Sequence, residues 1–471
     1  MIPSTQDERW GARLWGALTV LCAVIFLDAL DVSMVGVALP SIQADLGMTT
    51  SSLQWVVSGY VLGYGGLLLL GGRTADLLGR RRVFLAALVV FAAASLLGGL
   101  VTDGTLLIAA RFIKGISAAF TAPAALSIIT TTFAEGPARN RALSIFTACG
   151  ASGFSLGLVL SGVLTEIGWR WTFLMPVPVA ILALVAGARL LHRSDERGEG
   201  GHDLLGAATI TAAMLLLVFT VVEAPQVSLL RTVLSAVGVA ALLALFVWWE
   251  RRVSHPLVRL GILRSAPLAR ANIGLVILFG SYVGFQFVAM QYFQNLLGWS
   301  ALQTALAFLP AGLLVAVSST KMGTLADRFG TARLIVVGSI ALLAGYGVFL
   351  QVDEHPSLAT MVLPGMVLLG IAFALSFPSL NIQATSGVHD DEQGLASGLL
   401  NTSGQVGGAV VLAIVTAVLT SGSEGDPIGR FRAAIVVSGL FALIGLVVAL
   451  TGLRFRPRTA EAAEERVLET V

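Results

Sequence analysis

Apolar residues in this chain are gathered into runs of about 20, separated by short polar stretches. Fourteen runs fall at roughly 14–39, 54–72, 83–101, 104–125, 144–165, 171–191, 205–222, 229–249, 272–294, 303–322, 334–350, 359–380, 395–418 and 432–453. A hydrocarbon core about 30 Å thick needs roughly 20 residues at 1.5 Å rise to be crossed as a helix. The pattern therefore predicts an all-α polytopic membrane protein. Arg9 and Arg13 precede the first run as they would a signal peptide, but the run is too long for an h-region, so it reads as a retained helix. Ser51 and Gln54 have the spacing of a capping box opening the second run.

Composition sharpens this. The chain is 56% hydrophobic and 12% charged, with a mean hydropathy of +0.88, against about a quarter charged for a soluble domain. That argues against a soluble enzyme. Of the 29 Lys and Arg residues, 23 fall in the alternate segments that include both tails, and positive charge accumulates in cytoplasmic loops. Both termini are expected in the cytoplasm, with the protein in the plasma membrane. Cys22 and Cys149 are the only cysteines and the five histidines lie in loops, so no metal site is expected in the membrane. No GxxxxGK[ST] loop occurs, and nothing points to a nucleic-acid partner or a cofactor.

An internal repeat sets the organisation. Gly72 to Arg82 reads GRTADLLGRRR and Gly323 to Arg333 reads GTLADRFGTAR, sharing five of eleven positions 251 residues apart. Six-helix halves with loops of this length should repeat after about 190–200 residues, so the surplus fits two extra helices. The expected arrangement is 6 + 2 + 6: a half over 1–191, an inserted pair with linkers over 192–271, a second half over 272–453, and a tail over 454–471. Parallel halves of this kind place a substrate site near the midplane between them.

Ionisable residues inside membrane spans are costly and mark function by default. Asp28 and Asp31 share one face of the first span, and Arg111 and Lys114 share one face of the fourth, each at i, i+3. Counted from Pro40 and Asp103, Asp31 lies about 13 Å deep and Arg111 about 12 Å, Asp28 about 18 Å and Lys114 about 16 Å. The matching depths predict Asp31 beside Arg111 and Asp28 beside Lys114. Such a ladder couples protonation to movement if a proton or substrate displaces a partner; a purely structural double ion pair is the other reading. Tyr60, Tyr64, Tyr282, Phe285, Gln286, Gln291, Asn401 and Gln405 are neutral polar or aromatic groups that either glue helices together or line a pocket for an amphipathic aromatic molecule.

These residues carry a resemblance. The loop GRTADLLGRRR, the stretch LDVSMVGVALP from Leu30 to Pro40, RFIKG from Arg111 to Gly115, WRWTF from Trp169 to Phe173, and Gly298 to Pro310 occur in the order found in the 14-helix drug:proton antiporter family of the major facilitator superfamily. The chain resembles that family over essentially its whole length. The resemblance implies a proton-driven exporter of small organic compounds, such as drugs or antibiotics, working by alternating access, with the bilayer, protons and substrate as partners and no second subunit needed. It also implies a latch formed by Gly72, Asp76, Gly79, Arg80 and Arg81, with Asp327 in the second copy, and it matches Asp31 and Arg111 to the family's acid and arginine. It does not cover Asp28, and Lys114 stands where the family usually has Gln. In the fifth span the family's Gly-Pro and Gly-Gly are replaced by Gly157-Leu158 and Ser161-Gly162, which keeps open a proton-coupled uptake symporter on the same fold. Small residues at 150, 153, 157 and 161 still form a stripe for close helix packing.

Overall fold

The structure is a computed structural model that describes residues 10–133, 137–192, 203–224, 227–254, 256, 258, 260–319, 321–388, 393–421 and 426–453. The tail over 454–471 and most of the linker after Leu191 lie outside these residues, as does the side chain of Asp76. All regular elements described are helical. In chain order they are α1 (Ala12–Leu46), α2 (Thr50–Leu78), α3 (Arg80–Leu100), α4 (Gly104–Thr132), α5 (Pro137–Ile167), α6 (Trp171–Leu174), α7 (Pro176–Leu190), α8 (Leu204–Glu223), α9 (Leu229–Glu250), α10 (Ala266–Met290), α11 (Ala301–Ser319), α12 (Met322–Phe329), α13 (Thr331–Phe349), α14 (Leu363–Thr385), α15 (Gln393–Ser421) and α16 (Pro427–Gly452). π-helical turns extend α10 over Gln291–Leu296 and precede α14 over Leu358–Val362.

Each of the fourteen apolar runs falls on helix. Among the described residues, twelve segments are long and apolar enough to cross a bilayer; α2 and α8 are not counted among them. Side-chain caps set several starts: Asp103 accepts from Leu106 N at 2.9 Å, Asp203 from Gly206 N at 2.8 Å and Asp426 from Gly429 N at 2.8 Å. Each satisfies a backbone donor that lipid cannot. The α2 cap differs from the expected box. The cap lies two residues earlier, where Thr49 accepts from Ser52 N at 3.1 Å.

Helices α1, α3, α4, α5 and α7 pack around one core that includes Phe84, Phe91 and Phe146. Helices α10, α11, α13, α14, α15 and α16 pack around a second, larger core. The two assemblies meet along α2 with α15, α5 with α11, and α1 with α10. The C-terminal ends of α1 and α10 adjoin, as Gln43 meets Gln291, so the chain enters and leaves at the opposite, terminal end; the Gln43 end is the far end. Of the two helices expected as an insertion, α8 lies along the α2/α15 seam, donating from Thr211 Oγ1 to the Gly66 carbonyl at 3.0 Å and seating Leu215 against Gly66. Helix α9 packs on α8 and turns Leu229, Leu230, Val233, Leu234 and Val237 outward, an apolar face suited to lipid.

The repeated loop is built the same way twice. Gly79 joins α2 to α3 with φ +96°, and Gly330 joins α12 to α13 with φ +79°; both are in the region that favours glycine, again 251 residues apart. Each places a one-residue turn between two helices.

Candidate functional site

Close approach of α2 and α4 creates the site. A Cβ at Gly115 would collide with the Tyr60 carbonyl, and one at Gly63 would lie 2.5 Å from the Phe112 carbonyl, so only glycine permits this spacing. It brings Arg111 under the Tyr60 ring, with the guanidinium carbon 4.5 Å from the ring centroid. Arg111 Nε donates to the Val56 carbonyl at 3.0 Å. Its Nη1 donates to Asp31 Oδ2, and Lys114 Nζ donates to Asp31 Oδ1. All three side chains are at most 2% exposed. The Lys114 ammonium also lies 4.7 Å from the Phe91 centroid and 5.3 Å from that of Phe173, whose ring fits the space left by Gly98.

The expected ladder is therefore half right in its pairing. Asp31 does meet Arg111, but Lys114 joins it there instead of meeting Asp28. The cause is the direction in which helical side chains leave the backbone. They lean toward the helix N-terminus, and α1 and α4 are antiparallel, so the acids lean toward the terminal end and the bases toward the far end. The offset carries Lys114 to Asp31 and leaves Asp28 facing Thr121, whose Oγ1 donates to Asp28 Oδ2 at 3.1 Å. Asp28 Oδ1 has no hydrogen-bond partner, in a residue only 7% exposed. Thr121, Phe91 and Phe173 complete the cluster; Thr121 and Phe91 gave no signal in the sequence, because neither is ionisable or part of a recognised motif.

Of the other candidates, Tyr60 and Tyr64 border the cluster and the rest separate. Tyr60 and Tyr64, 6.0 Å apart, lie on the seam with Ala118, Ala409 and Ala413. Gln286 faces α1 near Gly36, its Nε2 buried without a partner. Gln405 packs its Cβ against Gly65, and Asn401 donates to its own helix at Ser397 O, 2.9 Å. Tyr282 packs on Phe373. Phe285 is buried between Tyr346 and Phe349 in the core of the second half, which is the packing role of the two that the sequence left open. Gln291 belongs to the far-end closure, where its Nε2 is 3.4 Å from Gln43 Oε1 and its Oε1 accepts from Asn295 at 2.7 Å. Of the residues expected to form a latch, Gly72 lies against Pro123, Arg81 donates to the Ala188 carbonyl of α7 at 2.5 Å, and Asp327 lies within α12.

Two packed helical assemblies, a loop motif built twice and a dry charge cluster on facing helices define a multi-pass membrane transporter. The chain belongs to the Major Facilitator Superfamily, whose family model matches residues 21–412. It is 39% identical over 419 residues to the cephamycin export protein of Amycolatopsis lactamdurans, covering 87% of this chain and 86% of that one. It is 37% identical to the puromycin resistance protein of Streptomyces alboniger, covering 87% and 82%, and 34% identical to the lincomycin resistance protein of Streptomyces lincolnensis, covering 96% and 94%. Among solved structures, the nucleoside transporter NupG superposes with a TM-score of 0.66 at 13% identity, covering 92% of this chain and 99% of that one, which is a likeness of fold.

Proposed function

We propose that this protein is a proton-driven exporter of small organic compounds, antibiotics among them, working by alternating access in the plasma membrane with both termini in the cytoplasm. The observation that carries this reading is the buried cluster of Asp31, Arg111 and Lys114 between α1 and α4. Fixed charges at this depth are expensive and persist where they serve a pathway. Similarity to export and resistance proteins for cephamycin, puromycin and lincomycin supports the direction of transport and the substrate class. In this reading the chain acts as a monomer, needs no cofactor, and is organised as two six-helix halves with α8 and α9 inserted between them. The repeated loops around Gly79 and Gly330, with Asp76, Arg80 and Arg81 in the first copy and Asp327 in the second, serve as the latch of the alternating cycle.

The test is growth of a sensitive host expressing the chain on puromycin, lincomycin and a cephamycin. Raised resistance to at least one, abolished by a protonophore, is the expected result. Raised sensitivity would replace export by uptake, and no change with any of the three would remove antibiotic export as the function.

A further inference from the structure

Resting on the proton-driven reading above, we propose that the transported proton is carried by Asp28, with Thr121 as its positioning residue, while Asp31 stays ionised as a fixed anchor for two cations.

The argument starts from what each carboxylate would lose on protonation. Both Asp31 oxygens are engaged, one by the Arg111 guanidinium and one by the Lys114 ammonium. A proton there would break two charge-assisted bonds and leave two buried cations without their counter-charge. Asp28 carries one contact only, from the Thr121 hydroxyl, and its other oxygen is unpartnered in a residue 7% exposed. A buried carboxylate oxygen with no donor is rare and calls for a reason. A proton on the group removes the buried charge that a single hydroxyl would otherwise have to offset. Adding it to Asp28 leaves the Asp31, Arg111 and Lys114 bonds untouched.

Thr121 suits both states. Its Oγ1 lies 3.1 Å from Asp28 Oδ2 and 3.3 Å from the Ala118 carbonyl of its own helix. When Asp28 is ionised the hydroxyl donates to it. When Asp28 is protonated the hydroxyl rotates to donate to Ala118 and accepts the carboxylic O–H instead. A hydroxyl is the smallest group able to donate and accept in turn.

The charged and titratable groups acting on Asp28 are few. Helix α1 supplies Asp31 and α4 supplies Lys114. Helix α2 brings Tyr60 and Tyr64 into range. Helix α5 turns Gly153 and Gly157 toward this part of α1, with no charge. The nearest formal charges are thus one ionised pair with a surplus cation, which leaves the Asp28 proton free to come and go while the rest of the cluster holds its shape.

The experiment is an infrared pH titration of the purified full-length protein in detergent, following the C=O stretch of buried protonated carboxyl groups, a readout that needs no substrate. One such band should appear as pH falls, vanish in Asp28→Asn and remain in Thr121→Ser. In Thr121→Val, which cannot donate to the ionised form, its midpoint should move to higher pH. A band that survives Asp28→Asn, or a midpoint that Thr121→Val leaves in place, overturns the proposal. In proteoliposomes with puromycin as the probe, Asp28→Asn should lose acceleration by an imposed pH gradient and keep exchange of labelled for unlabelled puromycin. A wild-type protein that exchanges puromycin but ignores the gradient would sink the proton-driven reading and leave the titration to judge Asp28 on its own.

Discussion

At the scale of single residues, Asp31 is the group on which two cations converge, and its removal should be felt first as stability. Replacing it by Asn leaves Arg111 and Lys114 buried with no carboxylate, and breaking a buried pair in this way costs about 3–5 kcal/mol. Asp31→Asn should therefore lower the thermal unfolding midpoint in detergent markedly, whereas Asp28→Asn, whose amide oxygen can still accept from the Thr121 hydroxyl, should change it little. Equal midpoints for the two variants would contradict the geometry described. The charges themselves were legible from sequence, because ionisable residues inside long apolar runs stand out. Their pairing was legible only to the level of the backbone. Rise per residue puts Arg111 level with Asp31, but the lean of side chains on antiparallel helices decides that Lys114 reaches the same acid. Thr121 was invisible for a different reason: a threonine in a helix ordinarily bonds its own backbone, as Thr121 also does here.

At the scale of elements, the placement of Asp28 and Asp31 depends on how α1 is held against α5. The stripe of small residues does this. Gly153 adjoins Phe26, Gly157 adjoins Leu30 and Ser33, and Ser161 Oγ donates to the Met34 carbonyl at 2.6 Å. The stripe thus works without the kink that a proline at Leu158 would bring; α5 runs unbroken from Pro137 to Ile167. Gly157→Val would force the backbones of α1 and α5 apart. Overpacking of this kind costs about 1–3 kcal/mol, so a lowered unfolding midpoint and weaker drug efflux are expected together. Full efflux with a normal midpoint would show that α1 tolerates displacement. Helix positions followed from hydropathy because the bilayer fixes their length. The break between α6 and α7 at Met175 and Pro176, and the π turn at Gln291–Leu296, did not, since apolar periodicity is the same on either side of such local changes. The seat of α8 in the α2/α15 seam was equally hidden, because an apolar helix surface reads alike whether it meets lipid or protein.

At the scale of the whole molecule, hydrogen bonds among the described residues join the two halves in the far part of the bundle and near its middle. Gln43 Oε1 accepts from Gln291 at 3.4 Å and from Asn295 at 3.2 Å, Gln294 donates to the Val37 carbonyl at 2.9 Å, and Ser155 donates to the Gly312 carbonyl at 2.9 Å. These are bonds between neutral groups, joined at the exposed rim by Leu302 N, which donates to the Glu166 carboxylate at 3.5 Å; each neutral bond is worth about 0.5–1.5 kcal/mol net, so the closure is weak enough to be opened repeatedly, unlike an ion pair held in a dry interface. Alternating access requires that it open, since a site between the halves must reach both sides of the membrane in turn. Gln43→Cys and Asn295→Cys, introduced together after Cys22 and Cys149 are replaced by alanine, place two thiols across the closure. Bridging them with a short thiol-reactive cross-linker should arrest efflux, and cleaving a reducible version of that linker should restore it. Either single cysteine, treated the same way, should transport normally. Undiminished efflux in the bridged protein would mean that the far end does not part during the cycle, and the route between the halves would have to be sought elsewhere.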